Sequence, residues 1–194
     1  MRILAVCLTG CILDVVFGDP HWLYHPVRLI GALIAKCEQI CRQIAKRSKR
    51  RLLIGGGVLF VVVLLVSAAA PAGMLYLAAK IHPLLSFALE SFWCYQILAA
   101  RSLQTESMKV YRELKKQDLQ AARRAVSMIV GRDTESLDAE GVTKAAVETV
   151  AENFSDGEIA PLFYMLLGGA PLALCYKAIN TMDSMVGYKN ERYL

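Results

Sequence analysis

The long uncharged stretch in the first half of the chain is the feature that most limits its possible folds. No charged residue stands between Leu52 and Ala79, and between Ile81 and Ala100 the only charged residue is Glu90. About 20 apolar residues are enough for a helix to cross the hydrocarbon core of a bilayer. Hydrophobic residues also make up 56% of the 194 residues, which is more than soluble domains usually contain. The sequence therefore predicts an all-α, polytopic helical membrane protein.

The positive charge of the chain is concentrated beside these apolar segments. The formal net charge is +5, and six basic residues lie between Arg42 and Arg51, immediately before the uncharged stretch. Arg101 follows the second apolar stretch. Because basic residues at the ends of membrane helices are typical of the cytoplasmic side, we expect a multi-pass protein of the inner cell membrane. This distribution argues against nucleic-acid binding, while contact of the basic cluster with anionic lipid or phosphate stays open.

The pattern of charge divides the chain into three segments. Residues 1–100 are expected to form membrane helices. Residues 101–157 are expected to form amphipathic helices on the cytoplasmic face, because charged and apolar residues alternate there at helical spacing. Residues 158–194 return to apolar sequence and end in a polar string. Helix breaks or starts are expected after Val16, at His25-Pro26, at Pro71-Ala72-Gly73, at His82-Pro83, at Gln117-Asp118, and at an N-cap formed by Ser136 or Asp138.

The apolar segment from Ile159 to Ile179 contains a predicted turn at its centre, Gly168-Gly169-Ala170-Pro171. The turn leaves two pieces of about ten residues, each too short to cross a bilayer at 1.5 Å per residue. We therefore expect a re-entrant hairpin, since non-helical backbone is tolerated at membrane depth where protein or a wet cavity surrounds it. Two polar strings, residues 145–157 before the hairpin and residues 177–190 after it, are then expected to meet at one cytoplasmic-side cavity.

The first polar string places carboxylates at helical spacing. Lys144, Glu148 and Glu152 lie one turn apart and share a helix face. Carboxylates arranged in this way suit Mg²⁺, which prefers oxygen ligands and keeps waters and substrate phosphates in its shell. The alternative is a surface ion pair between Lys144 and Glu148 followed by a solvated turn. Three more polar residues follow at the helix end: Asn153, Ser155 and Asp156.

The second polar string has uncharged polar groups around one carboxylate. Asn180, Asp183, Ser184 and Gly187 share one helix face. A face of this composition is more typical of specific ligand binding than of a surface exposed to water. Lys177 and Lys189 bracket the string and can offer point charges to phosphate.

Other polar residues are ambiguous when only the sequence is considered. Arg132 and Asp133 follow a glycine and fit simple helix capping. Asp19 and His25 lie near the first membrane boundary, where capping is again a sufficient explanation. Asp14 stands inside an apolar helix, which favours a functional role for its carboxylate. Glu90 falls under the same rule but stays without a role, because it could also extend to the membrane surface.

These residues together resemble the CobD/CbiB family, the adenosylcobinamide-phosphate synthases of cobalamin biosynthesis. Members of that family are longer and have further spans after the motif Asn190-Glu191-Arg192-Tyr193, so we expect the chain to correspond to the N-terminal part of the family's length. Four segments of the sequence carry the resemblance: Asp14 to Pro20 with His25-Pro26-Val27, Val130 to Thr134, Glu148 to Pro161, and Lys177 to Tyr193.

The resemblance implies an acid–amine ligase that requires ATP and Mg²⁺. Such an enzyme joins adenosylcobyric acid to aminopropanol phosphate, or to a related amino-alcohol phosphate, and yields adenosylcobinamide phosphate. The implied partners are the corrinoid and amino-alcohol phosphate substrates, membrane lipid and other cobalamin-assembly enzymes, with no nucleic acid. No P-loop motif for the nucleotide is present in the sequence.

The residues expected to carry this chemistry come from the two polar strings and from the positions described above as ambiguous. Catalytic roles are expected for Glu148, Glu152, Asp156 and Asp183. Magnesium contacts are expected for Glu148, Glu152 and Asp183. Substrate or phosphate contacts are expected for Arg132, Asp133, Asn153, Ser155, Lys177, Asn180, Thr181, Ser184, Lys189, Asn190, Asp19 and His25.

Two other functions compete with the ligase hypothesis. A non-catalytic, AmpE-like membrane sensor or scaffold should keep the apolar spans and lose the acidic and amide residues, which are intact in this sequence. A transporter with a re-entrant binding loop would account for Gly168 to Pro171 but would leave the long cytoplasmic helices without a role.

Overall fold

The computed structural model describes residues 1–20, 22–45 and 48–187, and every regular element in that part of the chain is helical. The prediction of an all-α fold is confirmed. The elements are α1 (Arg2–Phe17), α2 (Pro26–Ala45), α3 (Lys49–Ile81), α4 (Pro83–Ile97), α5 (Ala100–Lys115), α6 (Leu119–Ser127), α7 (Ala139–Phe154), a π-helical turn (Ser155–Ile159) and α8 (Ala160–Val186).

Side-chain caps explain where several helices begin. In both His-Pro pairs the histidine ring accepts a hydrogen bond from the second residue after it, Val27 for His25 and Leu84 for His82, each at 3.1 Å. Proline is favourable at the first position of a helix because it lacks the N–H that would otherwise need a partner. Asp138 accepts from the Gly141 N–H at 2.7 Å, which confirms Asp138 as the N-cap of α7.

Helix α3 corrects one prediction from the sequence. It runs unbroken from Lys49 to Ile81 with Pro71 inside it, so the interruption expected at Pro71-Ala72-Gly73 is wrong. A proline removes one backbone donor, and in an apolar medium the helix keeps its remaining backbone groups paired. Only 17% of the most apolar window of α3 is buried, so its apolar side chains form an outer surface of the kind expected against lipid.

By length and composition, two helical stretches in the described part of the chain could cross a membrane: Lys49–Ile81 and Ala139–Val186. The second of these contains the Gly168-Gly169 bend and is not one straight helix.

The core of the molecule consists of two groups of side chains. The larger group joins α1, α2, α3, α4 and α8. Within it α1 and α4 are so close that a Cβ at Gly10 would lie 2.6 Å from the Cys94 sulfur. The smaller group joins α5, α6 and α7 around Val110, Val126 and Val142. The amphipathic helices thus have a core of their own.

Helix α8 folds back on itself at Gly168 and Gly169. Both residues have non-helical backbone angles, and Gly169 has φ +67°. The rings of Tyr164 and Tyr176 stack with centroids 5.0 Å apart, whereas 12 residues of straight helix would separate them by about 18 Å. The two arms of α8 therefore lie side by side, with the glycines at the tip.

Glu90 fixes the tip of this hairpin. Its carboxylate is buried and accepts a hydrogen bond from the Ala170 N–H at 3.3 Å. Arg2 forms an ion pair with the same carboxylate at 2.9 Å. A Cβ at Gly169 would collide with Glu90 Oε1. Glu90 is therefore held inside the protein and does not extend to a surface, which answers the question left open by the sequence.

Candidate active site

The two polar strings meet at the base of the hairpin, which is the end of its two arms opposite the glycine tip. Asn180 Nδ2, on the second arm, donates a hydrogen bond to Asp156 Oδ2, on the π-helical turn before the first arm, at 3.4 Å. The Tyr176 hydroxyl also lies next to the Asp156 carboxylate. A π-helical turn inserts one extra residue per turn and is frequent at functional sites. Here the turn includes Asp156, which contacts the other arm.

Lys177 supplies a cation to this meeting point. It is half-buried and lies one turn before Asn180 on the second arm. In the described part of the chain its ammonium group has no hydrogen bond or ion pair. The carboxylates of Glu158 and Asp156 are nevertheless close enough to act on its charge. The group is thus available to an anionic ligand while its burial is partly compensated.

Two hydroxyls on the second arm are turned toward their own helix. Thr181 Oγ1 donates to the Lys177 carbonyl at 2.6 Å, and Ser184 Oγ donates to the Asn180 carbonyl at 3.0 Å. Each hydroxyl has used its proton but keeps lone pairs as acceptors. Both hydroxyls can therefore still accept a hydrogen bond.

The row of carboxylates on α7 begins with an ion pair. Arg132 contacts Glu148 at 2.8 Å, and Lys144 lies 3.9 Å from the same carboxylate. Because Glu148 is half-exposed, this pair contributes little to stability. Glu152, Asn153 and Ser155 continue along the exposed side toward Asp156.

Asp183 does not join this row. It lines a cavity of about 560 Å³ between α2, α3 and the end of α8, together with Arg42 and Lys49. Within residues 1–20, 22–45 and 48–187, no three His, Cys, Asp or Glu side chains are grouped closely enough to hold a metal ion. The expected set of Glu148, Glu152 and Asp183 is therefore not assembled, because Asp183 faces α3 while the two glutamates lie on α7.

His25 and Asp19 lie in the loop between α1 and α2. His25 is half-buried, and its Nδ1 atom is used to cap α2. Burial lowers the pKa of His25, and the nearby Asp19 carboxylate opposes that effect. Tyr95 and Gln96 of α4 hold this loop by donating to the carbonyls of Gly18 and Tyr24 at 2.7 and 2.9 Å. The structure thus gives His25 a structural function at this position.

Of the remaining predicted residues, Asp133 is exposed and makes a local turn with the Glu135 N–H at 3.0 Å. Lys189 and Asn190 lie outside the described residues.

A comparison with known families supplies the deciding observation. The model of the CobD/CbiB protein family matches residues 7–194. The chain belongs to the CobD/CbiB family.

Several members of this family match nearly the whole chain. A cobalamin biosynthesis protein CobD from Klebsiella pneumoniae is 52% identical over 100% of this chain and 60% of its own length. CobD proteins from Geobacter metallireducens and Clostridium perfringens are 50% and 45% identical over 98% and 96% of the chain. The chain spans 58% of the length of each of these two relatives. No solved structure matches the chain.

In this CobD/CbiB chain, two buried carboxylates lie beside the predicted site without belonging to the predicted set. Asp14 Oδ2 accepts from the Arg101 N–H at 3.2 Å, and Glu158 Oε1 accepts from the Ala99 N–H at 2.5 Å. Both carboxylates therefore bind the N-terminus of α5, where the helix dipole favours negative charge. Asp14 Oδ1 is buried and has no partner among the described residues.

The sequence singles out Asp14 but not Glu158. Glu158 lies inside the string from Glu148 to Pro161, and the available signal was its position one residue before the chain becomes apolar at Ile159. A carboxylate at such a boundary must find a partner when it is buried. Its partner here is the backbone of a different helix, which a single sequence does not reveal.

Proposed function

We propose that this protein acts in cobalamin biosynthesis as an ATP-dependent acid–amine ligase. The reaction joins a carboxylate of adenosylcobyric acid to the amine of aminopropanol phosphate, or of a related amino-alcohol phosphate, to give adenosylcobinamide phosphate. Membership of the CobD/CbiB family supports the pathway. The observation that carries the site is the contact between Asp156 and Asn180 beside the half-buried Lys177.

The charges at the hairpin base suit an amine that carries a phosphate. The ammonium of Lys177 has no direct partner among the described residues and would bind the phosphate of the amino alcohol as a point charge. Asp156 would attract the substrate ammonium and take its proton as the nitrogen lone pair forms the C–N bond. Asn180 would hold the Asp156 carboxylate in the orientation that this transfer needs.

Magnesium fits this arrangement when its shell contains few protein ligands. Mg²⁺ commonly uses one or two carboxylates and fills the remaining positions with waters and substrate phosphates. Glu148 and Glu152 are both exposed on α7 and are the residues that would hold it, without Asp183. ATP, when bound with Mg²⁺, supplies the phosphoryl group that turns the departing carboxylate oxygen into a good leaving group.

We also propose that α3 and the α8 hairpin lie in the inner cell membrane, with the hairpin base on the cytoplasmic side. The outward apolar surface of α3 supports this placement. The hairpin would then be re-entrant, because its tip turns back at Gly169 beside the buried Glu90. Lipid would cover the apolar surface, and both substrates would reach the site from the cytoplasm.

Product formation tests the proposal directly. The purified protein is incubated with adenosylcobyric acid, aminopropanol phosphate and MgATP, and adenosylcobinamide phosphate is measured by mass spectrometry. We expect ATP-dependent product, and a Lys177→Gln variant with a KM for the amino-alcohol phosphate raised by about tenfold or more, the loss expected for one charge-assisted contact. Lys115→Gln, at an exposed position of α5, is the matched control. Corrinoid binding without turnover in the wild type would favour a non-catalytic scaffold instead.

A further inference from the structure

An open cleft of about 620 Å³ lies between α6 and the loop that joins α6 to α7. The charged part of its lining consists of Arg123, Arg124, Arg132, Asp133 and Glu135. Helix α6 packs mainly on α5 and α7, so the cleft belongs to the amphipathic unit and not to the apolar core around α3.

The wall of the cleft is fixed by two partly buried hydrogen bonds. Arg123 Nε donates to the Leu137 carbonyl at 2.6 Å, and Thr134 Oγ1 donates to the Arg123 carbonyl at 3.2 Å. Thr134 is buried. These bonds hold the loop against α6 and leave the terminal amino groups of Arg123 available. A rigid guanidinium is suited to bidentate contact with phosphate oxygens.

The other two arginines differ in how they are held. Arg132 is oriented by its 2.8 Å contact with Glu148. The guanidinium of Arg124 has no hydrogen bond or ion pair with any described residue. The cleft thus combines two oriented guanidinium groups with one that has no hydrogen bond or ion pair to a described residue.

The two carboxylates of the cleft narrow the choice of ligand. Asp133 and Glu135 form one preformed turn, with the Glu135 N–H donating to Asp133 Oδ1 at 3.0 Å. These carboxylates oppose the attraction that the three arginines exert on a simple anion. A polyphosphate with bound Mg²⁺ would be repelled less, because the metal ion offsets part of its negative charge while the arginines bind the phosphate oxygens.

We propose that this cleft binds the Mg²⁺-polyphosphate of a nucleoside triphosphate. The inference rests on the proposed function only in its need for ATP. From Glu148, which contacts Arg132, to Asp156 is about 12 Å along α7 at 1.5 Å per residue, and Glu152 lies between them. The row of carboxylates on α7 therefore leads from the Arg132 side of the cleft toward Asp156. The phosphate of an anionic lipid has similar chemistry, but α6 packs on amphipathic helices, which favours the soluble ligand.

Binding measurements on the purified full chain in detergent test the cleft. AMP, ADP, ATP and inorganic tripolyphosphate are titrated by calorimetry with and without Mg²⁺. We expect affinity to rise with the number of phosphates, tripolyphosphate to compete with ATP, and Arg124→Gln to weaken both by at least about tenfold. Arg112→Gln is the matched control, because Arg112 is an exposed arginine on α5 outside the cleft.

The outcomes separate this inference from the proposed ligase activity. Unchanged ATP affinity in Arg124→Gln, with ATP-dependent product still formed, overturns the cleft and leaves the ligase proposal intact. Tripolyphosphate binding that depends on Arg124, without any ATP-dependent product, supports the cleft and overturns the ligase proposal. Binding to phosphatidylglycerol vesicles that falls in Arg124→Gln, with no competition by tripolyphosphate, assigns the cleft to lipid and overturns the nucleotide.

Discussion

Asn180 donates a hydrogen bond to the Asp156 carboxylate although 24 positions separate the two residues along the chain. The contact exists because the two arms of α8 fold back at Gly169. It joins one residue from each polar string and places both beside Lys177. The chemistry proposed for this protein depends on that geometry more than on either string alone.

The hairpin tip should be sensitive to any side chain at Gly169. In Gly169→Ala the new Cβ would collide with Glu90 Oε1 at a backbone φ of +67°, so we expect a loss of about 1–3 kcal/mol in the free energy of unfolding. Thermal unfolding in detergent measures the change. Gly73→Ala is the control, because its backbone is helical and no atom lies within 4 Å of the place that its Cβ would occupy. Equal stability of the two variants would contradict the role given to Glu90 and Gly169.

Glu158 should stabilise the protein through the N-terminus of α5. Glu158→Ala removes the acceptor of the Ala99 N–H and leaves a half-buried donor unpaired, which costs about 1 kcal/mol or more. Glu158→Gln keeps an acceptor oxygen and should unfold close to the wild type. The exposed Glu152→Ala is a control for loss of charge on the same helical run. Wild-type stability of Glu158→Ala would show that the contact with α5 is unimportant.

The cap formed by His25 should make stability depend on pH. Burial lowers the pKa of His25 below its usual 6.5, so the unfolded chain binds the proton more tightly than the folded protein does. The contribution of His25 is then fully present above about pH 6.5 and is lost as the pH falls through the lowered folded value. A protonated Nδ1 also cannot accept the Val27 N–H.

Replacing the ring separates this effect from other titrations. His25→Asn keeps a side-chain acceptor for the cap but does not titrate. Denaturant unfolding between pH 8 and pH 5, a range of about 3 units around the usual histidine pKa, should show a smaller loss of stability for His25→Asn than for the wild type. Parallel pH profiles of the two proteins would rule out the His25 cap as the cause.

Both polar strings should be accessible from the same side of the membrane. Ser155 and Ser184 are exposed and belong to different strings. In a background without the six native cysteines, Ser155→Cys and Ser184→Cys should both react with a membrane-impermeant maleimide in inside-out vesicles and not in right-side-out vesicles. Labelling of the two positions from opposite sides would mean that the hairpin crosses the membrane.

The sequence is sufficient to predict the features that depend on local pattern. The uncharged stretch of α3, the break at Gln117 and the Asp138 cap follow from hydropathy and backbone chemistry, and the glycines at 168 and 169 identify the turn. The interruption predicted at Pro71 was wrong because local propensity treats proline as a helix breaker, whereas α3 continues through it. The contacts of Glu90 with Ala170 and of Glu158 with Ala99 join positions 80 and 59 residues apart. A single sequence carries no periodic signal for such pairs.

The most direct test of the hairpin-base site is the turnover of three variants: Asp156→Asn, Asn180→Asp and the double variant with both changes. The double variant exchanges the two side chains and so can keep a hydrogen bond between the arms. We expect Asp156→Asn to lower kcat for adenosylcobinamide phosphate formation by about a hundredfold or more, the usual effect of losing a proton acceptor. The double variant should recover thermal stability without recovering kcat. Wild-type turnover in Asp156→Asn would contradict the assignment of the active site to the base of the hairpin.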